Sequence, residues 1–314
     1  MIDRIHRATC ADLSRAIRAR AISAAELTEA CLARISERNG ALNAVVTLDA
    51  ERARARAREA DDALARGESW GALHGVPVTI KDAFCTAGLR TTSGFAPLAD
   101  FVPNEDATVV ARLRAAGAIV LGKTNLPELA GDFQSDNAVF GRSNNPWDLG
   151  RTPGGSTGGG AAAVAAGLSP LEIGSDGAGS LRIPAQWCGV YAIKPTEHRV
   201  PQTGHIPGLP GMPRDVRHQG CAGPIARSIE DLALALRLIA GPDGQDWEVP
   251  PVALPTPRPA ALSSLRIAWS DDFGILPLDA DVRAALGRLA VELQRAGCRV
   301  ERRTPVGLDL EAAW

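Results

Sequence analysis

Two stretches decide how this chain is read. The first is Arg151-Thr152-Pro153-Gly154-Gly155-Ser156-Thr157-Gly158-Gly159-Gly160, which runs on into alanines. The second is Gly174-Ser175-Asp176-Gly177-Ala178-Gly179-Ser180-Leu181-Arg182-Ile183-Pro184. Clustered glycines let the backbone turn tightly and approach a ligand closely. Successive backbone N–H groups in such a turn can form an anion nest. A serine at the end of the nest sits beside its own oxyanion donors, as an acyl-transfer nucleophile requires. Taken alone, the residues leave other readings open. Gly154-x-Ser156-x-Gly158 matches a nucleophile elbow in form. That motif needs a strand before it, and here the lead-in, Asn145-Pro146-Trp147-Asp148, is rich in turn residues. A phosphate loop lacks its Gly-Lys-Ser/Thr ending. The plain alternative is a Gly/Ser loop between tightly packed helices.

Outward from these stretches, strands and helices alternate. Ser23-Ala24-Ala25-Glu26 is a capping box that predicts a helix to about Ser36. Ala44–Leu48 reads as a strand and Ala50–Arg66 as a charged, Ala-rich helix ended by Gly67. Val76–Ile80 reads as a buried strand that delivers Lys81 at its C-terminal end. A helix over Asp106–Ala116 leads into a strand at Ala118–Leu121. A Gly/Ala helix over Thr157–Ala166 precedes a short strand at Leu171–Ile173. Ser228 caps a helix to Ala240. Leu265–Trp269, Asp281–Ala296 and Cys298–Arg302 read as strand, helix and strand. The pattern predicts an α/β fold with a mainly parallel sheet. The Pro-rich stretch Pro250–Pro259 reads as a surface connection between two lobes.

Composition excludes several classes. The formal net charge of −2 argues against nucleic-acid binding through a bulk positive field. The apolar runs are too short for a membrane span, and charges interrupt the N-terminus where a signal peptide would need an apolar core. The 6 cysteines form no C-x-x-C pair and the 5 histidines no metal-ligand spacing. The expectation is reduced thiols in the cytoplasm and no metal. Lysine occurs only at Lys81, Lys123 and Lys194, although the chain holds 34 basic residues. A chain that otherwise uses arginine keeps lysine where an amine must be able to lose its proton. Coding bias is the competing explanation for any one of the three.

The linked blocks resemble the amidase signature family of serine hydrolases. The family's Gly-Gly-Ser-Ser-Gly-Gly block is similar to Gly154–Gly159, and its Gly-x-Asp-x-Gly-Gly-Ser-x-Arg-x-Pro block to Gly174–Pro184. Cys188-Gly189, Lys194-Pro195-Thr196, Gly75-Val76-Pro77 before Ile80-Lys81-Asp82, and Gly122–Asn125 with Glu128 also fit. So does Asn145-Pro146-Trp147 with Arg151. The resemblance runs from about residue 10 to the end. It implies the amidase signature fold: a mixed, mainly parallel sheet covered by helices on both faces. It also implies a single domain over 1–314 with a catalytic core at about 70–225.

The resemblance further implies a triad of Lys81, Ser156 and Ser180. Ser180 would be the nucleophile, Ser156 the bridge and Lys81, held neutral, the base. The physics agrees: an exposed lysine has a pKa of about 10.4, and burial lowers it. A serine hydroxyl can relay a proton because it both donates and accepts. The bond Gly155–Ser156 would be cis. The oxyanion hole would be the N–H groups of Gly177, Ala178, Gly179 and Ser180. Asp176 and Arg182 would brace the loop, and Lys123 and Lys194 would be structural. The implied activity is amide hydrolysis without a cofactor or a metal. The partner would be a small-molecule amide, with neither nucleic acid nor membrane, and with room for a homodimer. A glutaminase subunit of a tRNA-dependent amidotransferase is the alternative within the family, and a non-catalytic remnant the alternative outside it.

Three departures bear on these expectations. Thr157 stands for the family's second serine and keeps a hydroxyl. Ala178 stands where the family has glycine, and a positive φ there would be strained. The chain also stops at Leu308–Trp314, where the sequence pattern opens a further helix, so it reads as a fragment or a truncated form that is unstable alone.

Overall fold

The structure is a computed structural model that describes residues 6–209, 218–255, 260–272, 274 and 277–304. The Leu308–Trp314 segment and part of the Pro-rich stretch lie outside the described residues. The chain divides into two compact units, Met1–Leu254 and Pro255–Trp314. The boundary falls inside Pro250–Pro259, and the whole 70–225 core belongs to the first unit.

Among the described residues, the first unit opens with helices α1 (Cys10–Arg18) and α2 (Ala24–Leu42). Each helix start exposes N–H groups without intrahelical partners. In α1, Asp231 accepts from Cys10 and Ala11 N–H at 2.8 and 3.2 Å. In α2, Asp61 accepts from Ala24 and Ala25 N–H at 2.7 and 3.0 Å, beside the Ser23/Glu26 capping box that the sequence predicts. That helix runs on to Leu42, past the expected end near Ser36, and stops only at Asn43, with φ 47. Asparagine tolerates this left-handed cap better than most residues.

Strand β1 (Val45–Leu48), helix α3 (Ala50–Ala65), strand β2 (Pro77–Lys81), helix α4 (Thr108–Ala115) and strand β3 (Ile119–Thr124) follow. Helix α5 (Gly158–Ala165), strand β4 (Leu171–Asp176), helix α6 (Arg182–Cys188), strands β5 (Tyr191–Ala192) and β6 (Cys221–Ala226), and helix α7 (Ile229–Ile239) complete the unit. The six strands form one sheet in the order β1-β3-β2-β4-β6-β5. β2 is parallel to both β3 and β4. β1 is antiparallel to β3, and β6 is antiparallel to β4 and β5. Four strands therefore share one direction in a mixed sheet. Every residue of β2, β3, β4 and β6 is buried. A strand buried on both faces need not alternate apolar and polar residues as a half-exposed strand does.

The sequence reading does not include β6. Its sequence, Cys-Ala-Gly-Pro-Ile-Ala, carries glycine and proline, which argue against an interior strand. Pro224 nonetheless pairs with Ile173 of β4. Tertiary burial overrides local preference here.

Helix α5 packs across the middle of the sheet, and three glycines at its start make this fit. A Cβ on Gly159 would come within 2.4 Å of Asn125 N, and one on Gly160 within 2.5 Å of the Glu172 side chain. These glycines serve close packing, as the plain reading of the Gly-rich block holds.

In the second unit, β7 (Arg266–Trp269) and β8 (Arg299–Arg302) form a parallel pair, and α8 (Ala280–Arg295) is the crossover between them. Asp271, almost fully buried, binds Arg283 at 2.9 Å and Arg302 at 2.7 Å.

Candidate active site

The C-terminal ends of parallel β2 and β4 lie side by side, with Ile80 paired to Ile173. In open α/β sheets this end of the strands is where ligands bind. β2 ends at Lys81 and β4 at Ser175-Asp176, so both strands deliver polar residues to one place. Lys81 is fully buried, Ser156 is 1% exposed and Ser180 is 7% exposed. Lys81 Nζ lies 2.7 Å from Ser156 Oγ, 2.9 Å from Ser175 Oγ and 3.5 Å from the Ser175 carbonyl. Ser156, Ser175 and Ser180 line one cleft of about 330 Å³. The Gly155–Ser156 bond is cis, as the resemblance implies.

The two serine loops are joined to each other. The Thr157 N–H donates to the Ser180 carbonyl at 3.0 Å, and Thr157 Oγ1 donates to the Ser175 carbonyl at 3.1 Å. The threonine that replaces serine keeps this hydroxyl contact. Its methyl group fills the space over Gly174, where a Cβ would meet it at 2.3 Å.

Asp176 organises the loop that carries Ser180. Its Oδ1 accepts from Gly179 N–H at 2.7 Å and its Oδ2 from Leu181 N–H at 3.0 Å. Arg182 grips the same carboxylate twice, Nε at 3.0 Å and Nη2 at 2.9 Å. Burial works to raise the Asp176 carboxyl, but the guanidinium and these N–H donors outweigh it and hold the group down at about 2. A charged, bidentate pair is the strong form of such a contact.

This arrangement alters the expected oxyanion hole. Gly179 spends its N–H on Asp176, so its donor is committed to the loop's own fold. Among the described residues, the N–H groups of Gly177, Ala178 and Ser180 meet no acceptor and border the cleft. The strain anticipated at Ala178 is absent, because the left-handed φ, at 120°, belongs to Gly179. Ala178 is exposed and its methyl group demands no rearrangement.

Lys123 is fully buried apart from the cleft. Its Nζ donates to the Phe84 carbonyl, Thr86 Oγ1 and Thr91 Oγ1, which ties down the loop that follows β2. Burial pulls the amine down to about 8, against the attraction of Asp82. Lys194 Nζ donates to the Pro195 carbonyl at 3.1 Å and to Cys221 Sγ at 3.4 Å. Both lysines hold protein groups, as the resemblance implies.

The cleft also contains residues that the sequence reading leaves out. Leu129, Ala130 and Phe133 form an apolar wall, and Gln202, His205 and Gln219 a polar one. His205 Nε2 lies 2.9 Å from Ser175 Oγ. In the sequence, Ser175 stands out only as part of a glycine-rich block, and His205 only as a histidine without metal spacing. Glu197, His198 and His218 bring three ligand-type atoms within 4.8 Å of one another, a cluster that spacing along the chain does not reveal. A larger groove of about 1120 Å³, lined by Arg7, Arg34, Arg38 and Arg227 among others, shares no residue with the cleft. Among the described residues, no helix is long and apolar enough to cross a membrane.

The chain is similar to several known proteins. The Amidase family model matches residues 26–312. The chain is 38% identical over 314 residues to an acylamidase of Rhodococcus erythropolis, covering 99% of this chain and 64% of that protein. It is 47% identical over 230 residues to a glutamyl-tRNA(Gln) amidotransferase subunit of Anaeromyxobacter sp. strain K, covering 73% of this chain and 45% of that one. The solved structure of a fatty acid amide hydrolase superimposes with a TM-score of 0.89 at 26% identity, over 98% of this chain and 54% of its own. The chain thus spans about half to two thirds of the length of these relatives. The fold, the serine-rich blocks and the family match agree: this chain belongs to the amidase family.

Proposed function

We propose that this chain is an amidohydrolase that works through an ester on Ser180. The observation that carries the reading is the buried 2.7 Å contact between Lys81 Nζ and Ser156 Oγ, in the cleft that Ser180 lines. Lys81 in its neutral form accepts the Ser156 proton, and Ser156 accepts the proton of Ser180. Ser180 Oγ attacks the amide carbonyl carbon. The carbonyl oxygen becomes an oxyanion that the N–H groups of Gly177, Ala178 and Ser180 receive. Such preorganised donors are worth about 2.7–4 kcal/mol each. The intermediate collapses, the C–N bond breaks, and the leaving nitrogen takes the proton back from Lys81 through Ser156. Water then cleaves the ester by the same route in reverse. Asp176 and Arg182 keep Ser180 and its neighbours in place. The six free, buried cysteines support a cytoplasmic setting. A homodimer is the assembly to look for by size-exclusion chromatography.

The test is ammonia or amine release from a panel of aliphatic amides, anilides and glutamine. Ser180→Ala should abolish turnover while circular dichroism stays unchanged. A folded Ser180→Ala protein that still hydrolyses these amides would remove the proposed nucleophile.

The 47% identity to an amidotransferase component favours a second reading, in which glutamine is the amide and the ammonia is passed to partner proteins. Turnover confined to glutamine, and faster when those partners are added, would favour it over general amide hydrolysis.

A further inference from the structure

We infer that His205 is a positioning residue, which acts through Ser175 to keep the lone pair of Lys81 available to Ser156. The inference rests on the proposed reading of Lys81 as base. His205 is 4% exposed and sits on the segment that pairs with the loop after β2, in a β-bridge to Phe84. Ile206 N–H donates to the Ala83 carbonyl at 2.7 Å, and Cys85 N–H to the Gly204 carbonyl at 2.8 Å. The His205 ring meets Phe84 edge-on, with centroids 4.8 Å apart. Backbone and ring contacts thus fix the imidazole on both sides.

The contacts form a chain: Ser156 Oγ to Lys81 Nζ at 2.7 Å, Lys81 Nζ to Ser175 Oγ at 2.9 Å, and Ser175 Oγ to His205 Nε2 at 2.9 Å. A hydroxyl has one proton and two acceptor sites. When the Ser175 hydroxyl donates its hydrogen bond to His205 Nε2, its oxygen is left to accept from Lys81 N–H. The Lys81 lone pair then faces Ser156, as a general base requires. This direction places the imidazole proton on Nδ1. Without an acceptor at position 205, the Ser175 hydroxyl is free to turn and donate to Lys81. That hydrogen bond occupies the lone pair and removes the base from Ser156. His205 touches none of the reacting atoms in this scheme; it sets the polarity of a hydrogen-bonded chain. Such chains act cooperatively, and double-mutant cycles apportion them.

The probe is a fluorophosphonate, on which Ser180 Oγ forms a bond to phosphorus, fluoride leaves and the serine proton passes to Ser156 and Lys81. Labelling of the full chain is followed against probe concentration, to separate the maximal rate from the half-saturating concentration. His205→Leu fills the ring's space without an acceptor. It should cut the maximal rate about 10–100-fold, part of the roughly 10²–10⁴-fold that a general base supplies, with half-saturation within about twofold. His205→Gln offers an amide oxygen to Ser175 and should stay within about threefold of the parent. In a Ser175→Ala background, His205→Leu should cost nothing further. An undiminished rate in His205→Leu, an equal loss in Leu and Gln, or the same loss with and without Ser175 would overturn the proposal. So would loss of folding in both variants, which would make His205 a packing residue. Labelling that persists in Ser180→Ala overturns instead the reading of the site on which the proposal stands.

Discussion

Lys81 and Ser156 meet through a 2.7 Å contact across 75 residues of sequence, with both side chains out of solvent. The strand β2 is wholly buried up to its last residue, so the amine has no route to water along its own element. Lys81→Arg keeps a positive charge and removes a group that can be neutral. We predict that it lowers amide hydrolysis by roughly 10²–10⁴-fold. Retained activity in a folded Lys81→Arg protein would place the base elsewhere.

Asp176 supplies a pH dependence. Its carboxyl is held at about 2, below the ordinary 3.8, so the charged form is favoured in the folded chain. The stability it contributes is complete above the ordinary value and is lost as pH falls through about 2. Asp176→Asn should therefore be less stable at neutral pH, by about 1–3 kcal/mol. Its melting temperature should also fall less steeply than the parent's between pH 4 and pH 2. Parallel melting curves for the two proteins over that range would contradict the assignment. The same variant should lose activity, because Arg182 no longer has its ionic partner beside the Ser180 loop.

Glu172 titrates in the opposite direction. It is fully buried near the start of β4, and Thr124 Oγ1 donates to it at 2.6 Å. Burial pushes its carboxyl up to about 7, against the bond from Thr124. The folded state thus favours the protonated form. The stability from that proton is complete below the ordinary value of 4.5 and is lost as pH rises through about 7. Glu172→Gln carries no such charge and should become the more stable protein above that range. The relative gain between pH 5 and pH 8 should be on the order of 2–3 kcal/mol. Urea denaturation at the two pH values reads it directly, and an unchanged difference would show that Glu172 is already charged at pH 5.

Ala178→Gly tests the proposed oxyanion loop. Since Ala178 lies outside the left-handed region, glycine relieves no strain. The variant keeps its N–H donor and should retain hydrolysis within about twofold, far less than the loss of an oxyanion donor would cost. It should also unfold slightly more easily, by about 0.4–1 kcal/mol, through the added freedom of the unfolded chain. A large gain in acylation rate would mean that the methyl group obstructs the cleft.

Much of the scaffold is legible because local rules and burial agree. Ser23 and Glu26 announce a helix by chemistry that acts over three residues, and both bonds of the capping box form. The apolar run Val76–Ile80 ends at a rare lysine, and the strand ends there too. Elsewhere the decisive contacts join distant residues. β6 hides behind Gly223 and Pro224, because its pairing with β4 is set by the sheet and not by its own composition. His205 reaches Ser175 across 30 residues, and no periodicity marks that meeting. The commitment of the Gly179 N–H to Asp176 depends on the turn's actual path, which a run of small residues leaves open.

The bond between the Thr157 N–H and the Ser180 carbonyl joins main chain to main chain. It therefore survives any replacement of the Ser180 side chain. A descendant that loses the proposed nucleophile would keep the two loops latched through this bond. Under the proposed function, hydrolysis would be lost in one step while this latch stays closed, a path from enzyme to receptor within a single scaffold.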